Sequence, residues 1–180
     1  MTFLRAMIGA LALLAAGNAA AGEALRDAES GFFDQTLGDL KDELATARDE
    51  GKQGVLVFFG MEECPFCQRM KAQVLNRVPV QDYYHQHFRI VNVDVEGDIV
   101  IQDFKGRDIS EKDFAFKVNR VRATPVFLFY DLNGEPVARY TGATSGVDEF
   151  LLLGEYVVKG IYKDMPFTRY KRQNLSQAAQ

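Results

Sequence analysis

The run Val55-Leu56-Val57-Phe58-Phe59 contains only β-branched, aliphatic and aromatic side chains, and the chain's only two cysteines, Cys64 and Cys67, follow it closely. A continuous apolar run of this length reads as a central strand buried on both faces. Pro65 and Phe66 separate the cysteines. If a strand stops and Cys-x-x-Cys opens a helix, the first sulfur sits at a helix N-terminus, where unpaired N–H groups and the macrodipole favour the thiolate. A thiolate at neutral pH is a redox nucleophile.

The rest of the chain supplies layers for that strand. Leu37, Leu40 and Leu44, with Ala45 and Ala47, recur at helical spacing and end at Gly51, a suitable C-terminal cap. Pro65 fits the first turn of a helix reaching about Val74, with Met70 and Val74 inward. A second helical piece from Pro79 to His87 leads into an alternating strand from Phe88 to Asp94, and a helix crossing between two strands implies a parallel pair. Residues 98–109 predict a small β-hairpin insert around Lys105-Gly106-Arg107. Ser110 then caps a helix that ends before Val121. Pro125 to Tyr130 and Pro136 to Tyr140 form an antiparallel hairpin about Asp131-Leu132-Asn133-Gly134. A long helix follows from Val147 to Lys159, with Ser145 as its expected cap. The order predicts an α/β fold: a mixed central sheet with helices on both faces.

At 180 residues the chain suits one globular domain. Arg5, the apolar stretch Ala6 to Ala16 and the small residues up to Ala21 have the layout of a secretory signal peptide, too short to span a bilayer. The expected division is therefore a signal peptide over residues 1–21, a domain over 22–162 and a polar, partly disordered tail over 163–180. Loss of Arg5 with the leader takes the formal charge from −4 to −5. That balance, with basic residues scattered except in Thr168-Arg169-Tyr170-Lys171-Arg172, argues against nucleic acid as a partner. Export also changes the reading of the cysteines. Disulfides persist outside the cytosol, and a bridge closing so short a loop removes little chain entropy, so its purpose is chemistry rather than stability.

The strand leading to Cys64-Pro65-Phe66-Cys67, Thr124-Pro125 at the head of a later strand, and the terminal helix together resemble the thioredoxin superfamily over roughly Leu37 to Lys159. The leader, the approach Gly60-Met61-Glu62-Glu63, the hairpin insert and the ending Tyr156 to Tyr162 are similar to exported thioredoxin-like proteins of the SoxW type. The resemblance implies a three-layer thioredoxin-like fold and a monomeric periplasmic thiol:disulfide oxidoreductase needing no cofactor beyond a redox-active Cys64–Cys67 disulfide. Cys64 would be the nucleophile, Cys67 the resolving thiol and Pro125 a cis-proline, with Thr124, Pro125 and Phe66 meeting substrate. It also implies an exported protein disulfide as substrate and a membrane thiol-electron carrier as reductant, with sulfur-oxidation carriers as plausible clients.

Two departures from ordinary thioredoxin stand out: the buried aspartate below the active site aligns with Phe58, and the tryptophan before the first cysteine aligns with Glu63. Glu62 or Glu63 could assist Cys67, although acidic residues on a loop rim are ordinarily solvated and oppose thiolate formation. The direction of electron flow stays open, so a disulfide oxidase or isomerase is the alternative within the same fold. Other readings are a zinc or copper site built from Cys64, Cys67, His85 and His87, and a binding module with Phe66 and Phe114 as apolar contacts. A peroxidase that places Arg122 beside the thiolate is a further one. Histidines two apart on a helix point to different sides, which disfavours the metal site. Phe104, Phe114 and Phe116 are expected in the core.

Overall fold

The computed structural model describes residues 24–175, so the expected leader, residues 1–21, lies outside the described residues. Helices α1 (Ala28–Gly31) and α2 (Leu40–Asp49) precede strand β1 (Gly54–Gly60). Helix α3 (Pro65–Met70) continues as a π-helical stretch over Lys71–Leu75, and α4 (Val78–His87) leads into β2 (Phe88–Asp94). The hairpin β3 (Val100–Gln102) and β4 (Asp108–Ser110) precedes α5 (Glu111–Asp113), itself extended by a π-helical stretch over Phe114–Val118. Strands β5 (Val126–Asp131) and β6 (Pro136–Thr141), then helices α6 (Val147–Val158) and α7 (Phe167–Leu175), complete the order.

Four strands form one sheet in the order β2-β1-β5-β6, with β1 parallel to β2 and antiparallel to β5, and β5 antiparallel to β6. The apolar run of β1 is central, and all seven of its residues are buried. Alternation divides its side chains between two cores. Leu56 and Phe58 join Ile90, Phe127, Phe129 and residues of α3, α4 and α6 on one face. Val55, Val57 and Phe59 join Leu40, Leu44, Val93, Phe114 and Leu128 on the other. The mixed sheet with helices on both faces is as the sequence predicts. Residues 98–110 fold as the expected two-stranded insert, Ile101 pairing with Ile109.

Local chemistry sets the helix starts and corrects several expectations. The Asp39 carboxylate accepts from the N–H groups of Lys41 and Asp42, so α2 begins at Leu40 and Leu37 is left fully exposed before it. Ser110 caps the next helix as expected, through the Asp113 N–H. Ser145 does not cap α6. The cap position is Gly146, and the Glu149 side chain turns back to accept from both the N–H and the hydroxyl of Ser145. Phe114 is buried and Phe104 half-buried, but Phe116 is exposed because the π-helical stretch turns it out beneath the Arg122 guanidinium.

Within residues 163–180, expected as a polar, partly disordered tail, Phe167–Leu175 form helix α7, packed on α6. Phe167, Tyr170 and Lys171 share one face of it at helical spacing. The Phe167 ring packs edge-on against Tyr140 and Tyr156, the Tyr170 hydroxyl donates to Glu155 and the Lys171 ammonium reaches Glu149. A polar composition conceals that narrow apolar stripe. Residues 176–180 lie outside the described residues.

Candidate active site

Strand β1 ends at Gly60, whose carbonyl accepts from the Val95 N–H, and three further residues bring the chain to Cys64. Cys64 has extended backbone angles and occupies the N-cap of α3, with Pro65 in the first turn. Its Sγ accepts from the Cys67 N–H at 3.1 Å. This sulfur therefore takes the place of the oxygen that a serine or aspartate cap would offer to an orphan helix donor. The two cysteines are joined as a disulfide, with Cα atoms 5.2 Å apart. Both are buried, Cys67 completely.

A second donor reaches Cys64 from a distant part of the chain. The Thr124 hydroxyl lies 3.3 Å from the Cys64 Sγ. The Thr124–Pro125 peptide bond is cis, and the Pro125 carbonyl accepts from the Gly142 N–H. Hydrogen bonds to the charged form of a group favour that form, so the two donors aimed at the Cys64 sulfur would support a thiolate there once the disulfide is reduced. A thiolate so stabilised is also the better leaving group in exchange.

Phe66, between the cysteines, is 55% exposed, with the Arg69 guanidinium 5.2 Å from its ring centroid. Beneath the site Phe58 is fully buried, its ring 5.3 Å from Phe33 and 5.1 Å from Phe127. An aromatic cluster thus occupies the position that the resemblance gives to a buried acid. Glu62 and Glu63 are exposed on the loop rim.

The structure thus brings Cys64, Cys67, Thr124 and Pro125 together, with Phe66 beside them. It does not bring in the histidines. His87 ends α4 at the start of β1, its carbonyl accepting from Gln53, while the cysteines follow the other end of that seven-residue strand, roughly 20 Å away. His85 contacts the Gly31 carbonyl through Nε2 at 2.9 Å. Among the described residues no group of three His, Cys, Asp or Glu side chains is placed to hold a metal ion. Arg122, the candidate for a peroxidase setting, bonds to the carbonyls of Phe116 and Val121 and stacks on Phe116.

Sequence reasoning missed two features. The bond from Thr124 to Cys64 has no local signal, because it spans sixty residues. Lys71, four residues after Cys67, stands at a spacing legible in the sequence, but its salt bridge to Glu29 lies outside any motif.

Residues 40–157 match the family model described as a thioredoxin-like domain. No curated protein sequence shows significant similarity to the chain. Among solved structures, a thioredoxin-fold protein from Helicobacter pylori is 23% identical with a TM-score of 0.56, covering 70% of this chain and 86% of its own. A thioredoxin from Thermus thermophilus is 28% identical with a TM-score of 0.51, covering 65% and 82%. The oxidised C-terminal domain of Neisseria meningitidis DsbD is 21% identical with a TM-score of 0.50, covering 69% and 97%. With a model match over most of the chain and a disulfide where strand β1 gives way to helix α3, the chain belongs to the thioredoxin-like domain family.

Proposed function

We propose that the protein is an exported, monomeric thiol:disulfide oxidoreductase that works in the periplasm and reduces disulfides of exported partner proteins, in the manner of the SoxW type. The observation that carries this reading is the pair of donors, the Cys67 N–H and the Thr124 hydroxyl, converging on the Cys64 sulfur. Family membership and the 28% identity to a thioredoxin support it. The leader rests on the sequence pattern alone.

In the reducing direction the dithiol form acts. The Cys64 thiolate attacks one sulfur of the partner disulfide, forming a mixed disulfide and expelling the partner's other sulfur as a thiolate, which takes a proton from solvent. Cys67 loses its proton and its sulfur then attacks Cys64. The Cys64–Cys67 bond forms, the bond to the partner breaks, and the electron pair leaves on the partner's second sulfur. The partner gains two electrons and the centre loses two, which a membrane thiol carrier would restore. The Thr124 backbone beside the cis peptide would pair with an extended segment of substrate, and Phe66 would offer it apolar surface.

The same donors favour the reduced centre, and that favours a second reading, a disulfide oxidase or isomerase. Thioredoxin and the oxidant DsbA differ by roughly 150 mV on one fold. Equilibration with glutathione separates the two: a potential near the thioredoxin end is expected, and one near the DsbA end overturns the reducing direction. The chemistry itself is tested with Cys67→Ala, which should strand partners as mixed disulfides on Cys64, read by mass spectrometry. Absence of any adduct dependent on Cys64 would count against the reading.

A further inference from the structure

Beside α3 lies a cavity of about 250 Å³ lined by Gly60, Glu62, Gln68, Lys71, Asn92 and Asp94 among others. Its lining carries the carboxylates of Glu29, Glu62 and Asp94 and a single cation, Lys71. The Lys71 N–H closes the last turn of α3 onto the Cys67 carbonyl, which places Lys71 one helical turn beyond Cys67. Side chains four apart on a helix are neighbours, with Cβ atoms roughly 5–6 Å apart.

The Lys71 side chain does not run out into solvent. Its Nζ lies 5.7 Å from the Phe33 ring centroid and 5.8 Å from that of Phe58, and 2.5 Å from the Glu29 carboxylate on α1. Phe58 packs in the same core as both cysteines. The Lys71 side chain is 19% exposed and that of Glu29 57%, so water screens the carboxylate more than the ammonium. Glu62 and Asp94 face the same cavity with the opposite sign. Neither donor on the Cys64 sulfur, the Thr124 hydroxyl or the Cys67 backbone N–H, is aimed at the Cys67 sulfur, which is fully buried and would bear the cost of carrying charge in an apolar setting.

We propose that Lys71 is a positioning charge for the resolving thiol: its ammonium, held over Phe33 and Phe58 by Glu29, stabilises the Cys67 thiolate as the partner is released. The inference rests on the oxidoreductase reading and extends it to the second step. When Cys67 gives its proton to solvent, the negative sulfur forms one turn from Lys71. It attacks Cys64, the Cys64–Cys67 bond forms, and the partner's thiolate departs and takes up a proton from solvent. An opposite charge within about 4–6 Å lowers a pKa by about one unit or more, and one unit is tenfold in thiolate at a pH below the midpoint.

The test uses Lys71→Met, whose apolar stem still covers the rings, and Lys71→Arg, which keeps the charge. In a Cys64→Ser background Cys67 is the one thiol, and its thiolate is followed by ultraviolet absorbance against pH. Lys71→Met should move the midpoint up by about one unit and Lys71→Arg should restore it. With both cysteines present, Lys71→Met should slow release of a reduced-insulin mixed disulfide roughly tenfold at pH 7, and the deficit should shrink as pH rises past the new midpoint. An unmoved midpoint overturns the role of Lys71, whatever the release rate. Insulin reduction by the unmodified protein is measured alongside. If it does not depend on Cys64, the oxidoreductase reading itself has failed; if it does and the midpoint is unmoved, only the inference about Lys71 falls.

Discussion

The Thr124 hydroxyl donates to the Cys64 Sγ at 3.3 Å, joining the residue before the cis-proline to the first cysteine of the dithiol. The Cys67 N–H donates to the same sulfur at 3.1 Å. Cys64 thus holds two hydrogen bonds, one from the helix it opens and one from the head of strand β5. The arrangement leaves the two sulfurs unequal in hydrogen bonding, which suits the proposed roles of Cys64 as nucleophile and Cys67 as resolving thiol.

Replacing Thr124 by valine keeps the β-branched shape and removes the hydroxyl donor. In the reduced protein the Cys64 midpoint should rise by about one unit, and the reduction potential should fall as the thiolate loses support. Iodoacetamide alkylation of Cys64 against pH measures it. A midpoint unchanged in Thr124→Val would show that the hydroxyl does nothing for the reduced sulfur.

Phe66 offers a half-exposed ring with Arg69 stacked on it. Phe66→Ser removes apolar contact available to a protein substrate, worth about 1 kcal/mol or roughly fivefold in kcat/KM. Insulin reduction should suffer more than reduction of a small aromatic disulfide, which covers less surface. Equal losses on both substrates would place Phe66 in the chemistry or the fold rather than in docking.

Glu149 couples α7 to the rest of the domain and makes stability depend on pH. Burial opposes its charge, but hydrogen bonds from Lys171, Ser145 and Tyr140 outweigh that and hold the carboxyl at about 2. A carboxylate depressed in the folded state stabilises above its unfolded value and loses that contribution as pH falls towards the folded value. The contribution is on the order of 3 kcal/mol at pH 7, declines below about pH 4.5 and is gone near pH 2. Glu149→Gln should lower the urea midpoint at pH 7 and flatten its fall between pH 5 and pH 3. A variant with the slope of the unmodified protein would contradict this.

Much of the fold is legible in the sequence because the strands carry their own signal. The unbroken apolar run of β1 marks a strand covered on both faces, and Phe88 to Asp94 alternates because β2 is an edge strand in which Arg89, Asn92 and Asp94 are not buried. Local patterns fail where tertiary contacts decide. Phe116 looks like core by composition, yet a π-helical stretch turns it outward. α7 looks like a solvated tail because its partners, Glu149, Glu155 and Tyr156, lie on another helix. The cysteines are conspicuous, whereas Lys71 becomes visible only when α1 and α3 bring Glu29 beside it.

Insulin disulfide reduction with dithiothreitol as the electron source is the most direct test of the dithiol account. The unmodified protein should accelerate it well beyond dithiothreitol alone, Cys64→Ser should abolish the acceleration, and Cys67→Ser should stall as a mixed disulfide on Cys64 visible by mass. Catalysis that survives Cys64→Ser, or no acceleration by the unmodified protein, would contradict the claim that Cys64 and Cys67 form a working exchange centre.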